Sequence, residues 1–199
     1  MSATTGRRGR RPGTPDTRAA ILAAARARFG EKGFAGTTIR AVAADAGVDA
    51  ALVHHYFGSK DDLFLAALAL PVDPRRLLVP AVTSGDVEGA AERMLDTFVS
   101  VWDDPTVQPA LLAVVRGVMD PAGPVLLRDG FLPVVLRPVA DALGIDRPDH
   151  RMPLVASQVM GLILMRYVLR VEPLASMPHE QLVATYAPTI QRYLTDPLP

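Results

Sequence analysis

Two short helical segments joined by a four-residue link, over residues 38–56, place the strongest restriction on the fold of this chain. The link reads AGVD, residues 46–49. Its glycine readily adopts the positive φ that a tight turn requires, and its aspartate is a good N-cap for the second segment. Ala43 lets the two helices approach closely where they cross. This spacing is typical of a helix-turn-helix, whose second helix enters the DNA major groove, although a generic helical hairpin shares parts of it.

The rest of the chain has the same periodicity. Apolar residues recur at i, i+3 and i+4 and strand-like alternation is absent, so we expect an all-α fold of about nine to ten helices. The second expected helix starts at a Thr37-Thr38 cap and ends at Gly47, and the others are roughly 15–32, 50–56, 60–70, 74–82, 86–102, 105–119, 123–143, 150–170 and 178–195. Thr14 should cap the first of these, with Pro15 at its first position. Pro133, Pro138 and Pro188 should kink the helices that contain them.

Charge and proline content divide the chain into unequal parts. The net charge is zero, but residues 1–60 have ten Lys/Arg against four Asp/Glu, whereas residues 61–199 have eleven against seventeen. Two prolines precede residue 60 and sixteen follow it. We predict a disordered basic arm at 1–13, a helix-turn-helix DNA-binding domain at 14–58, and a helical regulatory and dimerisation domain at 59–199. The basic first part indicates a polyanionic partner, although the RRGRR cluster alone supplies much of its excess.

Composition excludes several classes of protein. The chain has no cysteine, which rules out disulfides, thiolate zinc sites and cysteine nucleophiles. Its first residues lack the long apolar run of a signal peptide. The apolar stretch 154–169 contains Ser157, Gln158 and Arg166, so we do not expect it to span a membrane. We therefore expect a cytoplasmic protein that associates with the nucleoid when bound to DNA. No nucleophile–base pairing, phosphate loop or metal cluster is present in the sequence, so we expect neither an enzyme nor a cofactor.

Residues 34–64, FAGTTIRAVAADAGVDAALVHHYFGSKDDLF, resemble the DNA-binding domain of the tetracycline-repressor (TetR) family. The matching residues are Phe34, Thr37, Thr38, Ile39, Ala43, Ala46, Gly47, Val48, His55, Tyr56, Phe57, Ser59, Lys60 and Leu63. The family usually has threonine and tyrosine at the positions of Leu52 and His54, and a Ser/Thr cap at Asp49. The resemblance implies a dimeric regulator of transcription, usually a repressor, that a small ligand releases from its operator. An alternative is a DNA-binding regulator with no inducer, controlled by a protein partner or by its assembly state.

The adjacent histidines belong to this motif. His54 and His55 lie about 100° apart on a helix, so they do not converge on one metal ion. Phosphate contacts fit Thr37, His55, Tyr56 and Lys60, donors at helix ends on a basic surface, and the resemblance assigns them the same role. Base contacts would come from the exposed face of the second helix of the motif. The full set of expected DNA-binding residues is Thr37, Thr38, Arg40, Asp49, Ala50, Ala51, His54, His55, Tyr56 and Lys60.

Two alternatives stay open at this interface. The alanines at 50 and 51 either meet thymine methyl groups or are merely small helix formers. The arginines of the arm either enter an adjacent minor groove or form a solvated tail that adds nonspecific attraction. These arginines are Arg7, Arg8, Arg10 and Arg11.

The last two long helices predict a homodimer. The segment 150–170 is apolar nearly all round and has small residues at 157 and 161, while the final helix has one apolar stripe. An intramolecular core is the alternative, but the resembled family dimerises through these helices. The expected interface is Ser157, Gly161, Leu164, Met165, Val168, Tyr186, Ile190 and Tyr193. A two-fold dimer should bind a near-palindromic double-stranded operator.

The middle helices contain methionine and aromatic side chains that usually mean plain core. In the resembled family this region encloses an inducer pocket, so a cavity for a small, mostly apolar ligand is the functional interpretation. Its expected lining is Met94, Phe98, Trp102, Val115, Met119, Phe131, Val135 and Gln158, with Arg116 and Tyr167 as further polar candidates.

Overall fold

The computed structural model describes residues 16–117 and 123–198, and these ranges are helical with no strand. The α-helices are α1 Thr17–Lys32, α2 Ile39–Ala46, α3 Ala50–Phe57, α4 Lys60–Leu68, α5 Pro74–Thr83, α6 Ala90–Asp103, α7 Gln108–Gly117, α8 Gly123–Leu126, α9 Leu132–Leu143, α10 Pro148–Leu162 and α11 His179–Thr195. A 3-10 turn at Val87–Gly89 precedes α6, and π-helical turns at Leu127–Phe131 and Ile163–Val168 follow α8 and α10. The all-α fold is confirmed.

Local capping signals set most of the helix starts. Thr38 and Asp49 cap α2 and α3, and Ser59 forms a reciprocal capping box with Asp62 at the start of α4. Gly47 ends α2 in the left-handed region with φ 67°. The predicted helix starts and the tight turn between α2 and α3 are therefore present.

The predicted cap of α1 is wrong. The Asp16 side chain accepts hydrogen bonds from the backbone N–H groups of Arg18 and Ala19, so the helix begins at Thr17. An aspartate directly before the first turn satisfies these N–H groups and favours the helix dipole. Thr14, Pro15 and the arm at 1–13 lie outside the described residues.

The first four helices enclose an N-terminal core. Three aromatic rings lie at its centre: the ring centroid of Phe64 is 5.0 Å from that of Phe29 and 5.2 Å from that of Phe34. Val42 and Val53, both fully buried, bring α2 and α3 onto the same core. Because Phe64 lies on α4, helix α4 packs against the same core as the helix-turn-helix. The boundaries 14–58 and 59–199 stay a prediction.

A second core joins α5, α6, α9, α10 and α11, with α6 against α11 as the most extensive helix pair. The predicted single helix over 123–143 contains a wider, π-helical turn directly before Pro133, which has no N–H to donate to the preceding turn. Pro138 and Pro188 lie inside α9 and α11, and kinks at these two residues stay predictions. No helix in the described ranges is both long and apolar enough to cross a bilayer.

Two of the contacts between the N-terminal core and the rest of the chain involve α4. The Phe64 ring lies on Gly130 so closely that a Cβ there would be 2.3 Å from Phe64 Cζ. Arg75 on α5 donates to Asp62 at the start of α4 at 2.5 Å and to Asp73 at 2.8 Å. The helix that follows the helix-turn-helix is therefore held both by packing and by ion pairs.

Candidate nucleic-acid interface

Helix α3 divides its side chains between the core and solvent. Val53 is fully buried, and Ala50 and Leu52 are half-buried. The exposed side chains are those of Ala51, His54, His55 and Tyr56. The structure thus brings most of the predicted α3 residues onto one surface, while Ala50 lies partly against the N-terminal core.

The ring of His54 folds back onto the end of its own helix. Its Nδ1 lies 2.7 Å from the carbonyl oxygen of Gly58. Gly58 has φ 79° and ψ −86°, a conformation that glycine tolerates and other residues avoid. Sequence reasoning identified His54 but missed Gly58, although a glycine directly after a short helix is the expected signal for such a turn.

His55 and Tyr56 continue this surface. Their ring centroids are 5.7 Å apart, and the Tyr56 side chain is 43 % exposed, so its hydroxyl is accessible to a phosphate. Next to them the guanidinium carbon of Arg18 lies 5.3 Å from the centroid of Phe57. Arg18, on α1, was not among the predicted site residues, because its position beside α3 depends on tertiary packing.

Lys60 lies at the start of α4, close to the same surface. Its Nζ is 4.2 Å from the centroid of the Phe34 ring, a cation–π contact. Partial burial against its neighbours lowers the pKa of this lysine.

The prediction that Thr37 contacts phosphate is wrong for its side chain. Thr37 is only 1 % exposed, and its hydroxyl donates a 2.8 Å hydrogen bond to the carbonyl oxygen of Gly33. The neighbouring Thr38 is exposed and caps α2 by accepting from Ala41 N–H at 3.2 Å. Arg40 is exposed on α2.

Asp49 brings a negative charge to this surface, and its carboxylate bonds to the backbone of its own helix start. One of its carboxylate oxygens accepts a 2.7 Å hydrogen bond from the backbone N–H of Ala51. Its role in the described residues is therefore to start α3.

The predicted pocket residues do not form one group. Met94 belongs to the core around α6 and α11, Val135 and Phe131 to the N-terminal core, and Trp102 and Val115 to a third cluster with Ile163 and Tyr167. Phe98 packs against both the core around α6 and α11 and the third cluster. Gln158 is half-buried on α10, and Met119 lies outside the described residues. The expectation that all these side chains line one common cavity is corrected.

The third cluster has a polar edge. The rings of Trp102 and Tyr167 have centroids 5.0 Å apart, and the Tyr167 hydroxyl donates to an Asp103 carboxylate oxygen at 3.0 Å. Burial, reinforced by the Asp103 charge, raises the pKa of the Tyr167 phenol. Arg166 also reaches Asp103, at 3.3 Å.

Two hollows in the described residues have other linings. A groove of about 390 Å³ lies between α5, α6 and α11, with Glu92, Asp96 and Glu180 among its walls. A smaller cavity of about 70 Å³ lies between α1, α4 and α8, against Phe29, Phe64 and Leu126. Of the predicted pocket residues that lie within the described ranges, none lines either hollow.

The predicted dimer residues also separate into two groups. On α10 and the turn after it, Ser157, Met165 and Val168 are exposed, and a Cβ added to Gly161 would meet nothing within 4 Å. Leu164 is half-buried against the third cluster.

On α11 the apolar stripe faces inward. Ile190 is 0 % exposed within the chain itself, and Tyr186 and Tyr193 are half-buried against the same core. The prediction of Ile190 as an interface residue is therefore wrong, because α6 and α10 already cover the stripe that contains it.

An all-helical chain in which a helix-turn-helix presents a polar second helix to solvent falls in the class of helix-turn-helix regulators. Sequence comparisons specify the family. Residues 21–67 match the description "Bacterial regulatory proteins, tetR family", and residues 88–194, more than half the chain, match "Tetracyclin repressor-like, C-terminal domain". The chain belongs to the TetR family. Members of this family are transcriptional regulators and not enzymes, in agreement with the sequence-based expectation.

Individual relatives give the same assignment. The HTH-type transcriptional repressor SCO4008 of Streptomyces coelicolor is 38 % identical over 80 residues, 40 % of this chain and 41 % of that protein. The HTH-type transcriptional regulator BetI of Agrobacterium fabrum is 44 % identical over 69 residues, 34 % of each chain. The chain therefore spans between about a third and two fifths of the length of these curated relatives.

Solved structures similar to the chain have related descriptions. The crystal structure of the TetR-family regulator SCO0857 from Streptomyces coelicolor A3 is 39 % identical and covers 94 % of this chain and 99 % of that one, with a TM-score of 0.47.

Proposed function

We propose that this protein is a homodimeric, sequence-specific DNA-binding regulator that represses transcription. The observation that carries this proposal is the exposed face of α3, with Ala51, His54, His55 and Tyr56 beside the capped N-terminus of α2. A helix of this kind fits the major groove, and its flanking donors suit the phosphates on either side. Repression is proposed because the S. coelicolor relative SCO4008 is described as a repressor.

DNA binding can be tested by fluorescence anisotropy with duplexes selected from a random pool. His55→Ala and Tyr56→Phe each remove a candidate phosphate donor, so each should weaken binding to selected and random duplexes alike. Each should also lower the slope of log affinity against log salt, by about one unit if a full charge is lost and by less for the neutral tyrosine. Unchanged affinity and slope for both variants would exclude this surface.

The dimer surface follows from the side chains that the chain leaves uncovered. Met165, Val168, Leu169 and Val171 are among the large apolar residues with substantial exposure, and they lie in the π-helical turn after α10 and in the segment that follows it. Exposed apolar side chains grouped in this way are typical of an association surface. We propose that α10 and the turn after it supply most of the interface. Helix α11 would pack against α10 within the same protomer.

For ligand control we propose the third cluster, because Phe98, Trp102 and Val115 are the members of the predicted lining that share it. The ligand would be mostly apolar and oriented by a polar group such as the Tyr167 hydroxyl. Trp102 is the sole tryptophan, so its emission should respond directly to a bound compound. Val115→Trp should fill the cluster and abolish release from DNA while operator affinity stays unchanged.

Control by a partner or by assembly is the second candidate. It is favoured by the dense packing at Trp102, which is 6 % exposed and whose ring packs at a tilt against both Phe98 and Tyr167. If apolar compounds alter neither Trp102 emission nor operator affinity, this second candidate replaces the ligand hypothesis.

A further inference from the structure

Two hydrogen bonds join His54 and the backbone of Gly58, one to the main chain of His54 and one to its ring. The Gly58 N–H donates to the His54 carbonyl oxygen at 2.8 Å, and the Gly58 carbonyl oxygen lies 2.7 Å from His54 Nδ1. A carbonyl oxygen has lone pairs but no proton, so it only accepts. His54 Nδ1 must therefore carry the hydrogen in this contact.

The position of that carbonyl is determined by the turn. Gly58 has φ 79° and ψ −86°, and this glycine-specific conformation directs its carbonyl oxygen back towards α3. In a neutral imidazole one nitrogen donates and the other accepts, and the bond made by one nitrogen fixes the tautomer. With the hydrogen on Nδ1, the exposed Nε2 has a lone pair and acts only as an acceptor.

From this geometry we propose that His54 is a specificity-determining residue that selects an amino-bearing base. In the major groove, adenine and cytosine present exocyclic amino donors, whereas guanine O6 and N7 and thymine O4 are acceptors. An acceptor-only Nε2 can bond to the first pair of bases but meets a second acceptor at the other two. The inference rests on the proposed DNA-binding function and adds the chemical identity of one base to it.

The tautomer can be measured without DNA. In ¹⁵N-labelled protein at about pH 8.5, where imidazoles are neutral, His54 should show a protonated Nδ1 and an unprotonated Nε2. The adjacent His55, whose ring lies against Tyr56, is the internal comparison. A hydrogen on Nε2 of His54 would overturn the inference whatever the protein does with DNA.

The base preference is tested on duplexes selected from a random pool. One base pair in each half-site should be required in one orientation, and deleting only the exocyclic amino group of its adenine or cytosine should weaken binding about three- to tenfold, the effect of one net hydrogen bond. The glutamine amide both donates and accepts, so His54→Gln should bind that base pair and the same pair in the reversed orientation with affinities within about twofold of each other. His55→Ala should leave the preference unchanged, because that ring does not bond to Gly58.

Three results would contradict the inference in distinguishable ways. Selection of no preferred sequence would overturn the proposed function together with this inference. Undiminished binding after the adenine or cytosine amino group is deleted from the base pair where His54→Gln acts would overturn the inference alone. A His54→Gln variant with the same preference as the unmodified protein at every position would do the same.

Discussion

Thr37 and Thr38 are adjacent but have opposite environments. Both hydroxyls are local hydrogen-bonding groups, yet Thr37 is buried and donates to Gly33, whereas Thr38 is exposed and accepts from Ala41 N–H. Periodicity around a cap does not reveal this difference, since the residue before an N-cap can point either way. A role in DNA binding is consistent with the exposed threonine and not with the buried one.

Substitution of Thr37 separates stability from DNA contact. Thr37→Val keeps the shape but leaves the Gly33 carbonyl without this donor, so urea unfolding should show a loss of about 1–2 kcal/mol. Anisotropy titration of the folded variant should give an operator affinity within about twofold of that of the unmodified protein. Thr38→Ala is the comparison, since it should cost about 1 kcal/mol and also weaken binding. A large loss of affinity in Thr37→Val at unchanged stability would contradict the buried placement.

Arg75 holds the carboxylates of Asp62 and Asp73 together where α4 and α5 meet. Partial burial alone would raise the pKa of Asp62, but the hydrogen bonds from Ser59 and Arg75 outweigh it, and the pKa lies below its ordinary value. Burial opposes the shift at Asp73 as well, where the bonds from Arg75 again dominate and lower the pKa. Both shifts make the folded state more stable when the aspartates are ionised.

Removal of this arginine should therefore have a pH-dependent effect. Arg75→Ala should lower the free energy of unfolding by about 1 kcal/mol near neutral pH, the upper end for solvent-accessible ion pairs. The aspartates contribute this stability above their unfolded pKa of about 3.9, and it is lost as the pH falls through their lower folded values. The difference between the two proteins should shrink between about pH 5 and pH 2.

Arg76 is the matched control for that experiment. Its side chain is 85 % exposed and lies 3.7 Å from Asp73. Arg76→Ala should change the unfolding free energy by less than about 0.5 kcal/mol at any pH, since exposed pairs contribute little. Equal effects of the two substitutions would show that the buried geometry of Arg75 has no energetic importance.

At the scale of elements, the π-helical turn Leu127–Phe131 brings Gly130 against Phe64 of α4. Phe64 is fully buried between Phe29 and Phe34, and the small cavity lined by Phe29 and Leu126 lies beside its ring. This turn is therefore the place where a movement of α8 or α9 would press on the helix that follows α3.

A methyl group at this turn should be costly. Gly130→Ala would usually stabilise a helical segment, but here the added Cβ would overlap the Phe64 ring, so we expect a loss of about 1–3 kcal/mol in thermal or urea unfolding. Phe64→Leu in the same chain should recover part of that loss, although it has its own cost in the aromatic cluster. If Gly130→Ala is as stable as the unmodified protein, the close approach of ring and backbone is not present in solution.

Elements and caps could be predicted well because their signals are local. Asp49 caps the helix that its side chain was predicted to cap, Gly47 makes the predicted turn, and Thr38 and Ser59 cap α2 and α4 close to where these helices were predicted to begin. The lining of a pocket was not predictable, because methionine and aromatic residues at helical spacing do not show which core they enter. For the same reason the apolar stripe containing Ile190 was predicted to form a dimer interface, whereas the structure buries this stripe against α6 and α10 of the same chain.

At the scale of the whole molecule, the protomer leaves space at Gly161. An added Cβ meets nothing within 4 Å there, so in a monomer Gly161→Leu should be tolerated and should stabilise α10 by about 0.5–1 kcal/mol. In a dimer packed through α10, the same side chain would occupy the place of the partner. We expect light scattering to give a dimer mass for the unmodified protein and a monomer mass for Gly161→Leu.

Ala142→Leu is the control for that substitution. Ala142 is exposed on α9, so a leucine there adds the same apolar side chain on a helix outside the proposed interface and should leave the dimer mass unchanged. A monomer mass for the unmodified protein at micromolar concentration, or a stable dimer of Gly161→Leu, would exclude the proposed interface.

The central claim is that the exposed face of α3 meets DNA. Ala51→Glu tests it most directly, because a glutamate in the first turn of α3 favours the helix yet would face the phosphates. Ala110→Glu, exposed in the first turn of α7, adds the same charge at an equivalent helical position on the body. By anisotropy with a selected duplex, Ala51→Glu should weaken binding by about 100-fold or more, since facing like charges cost several kcal/mol. Ala110→Glu should stay within about threefold of the unmodified protein, with both variants folded by circular dichroism. If Ala51→Glu binds as tightly as Ala110→Glu, α3 is not the DNA-reading helix.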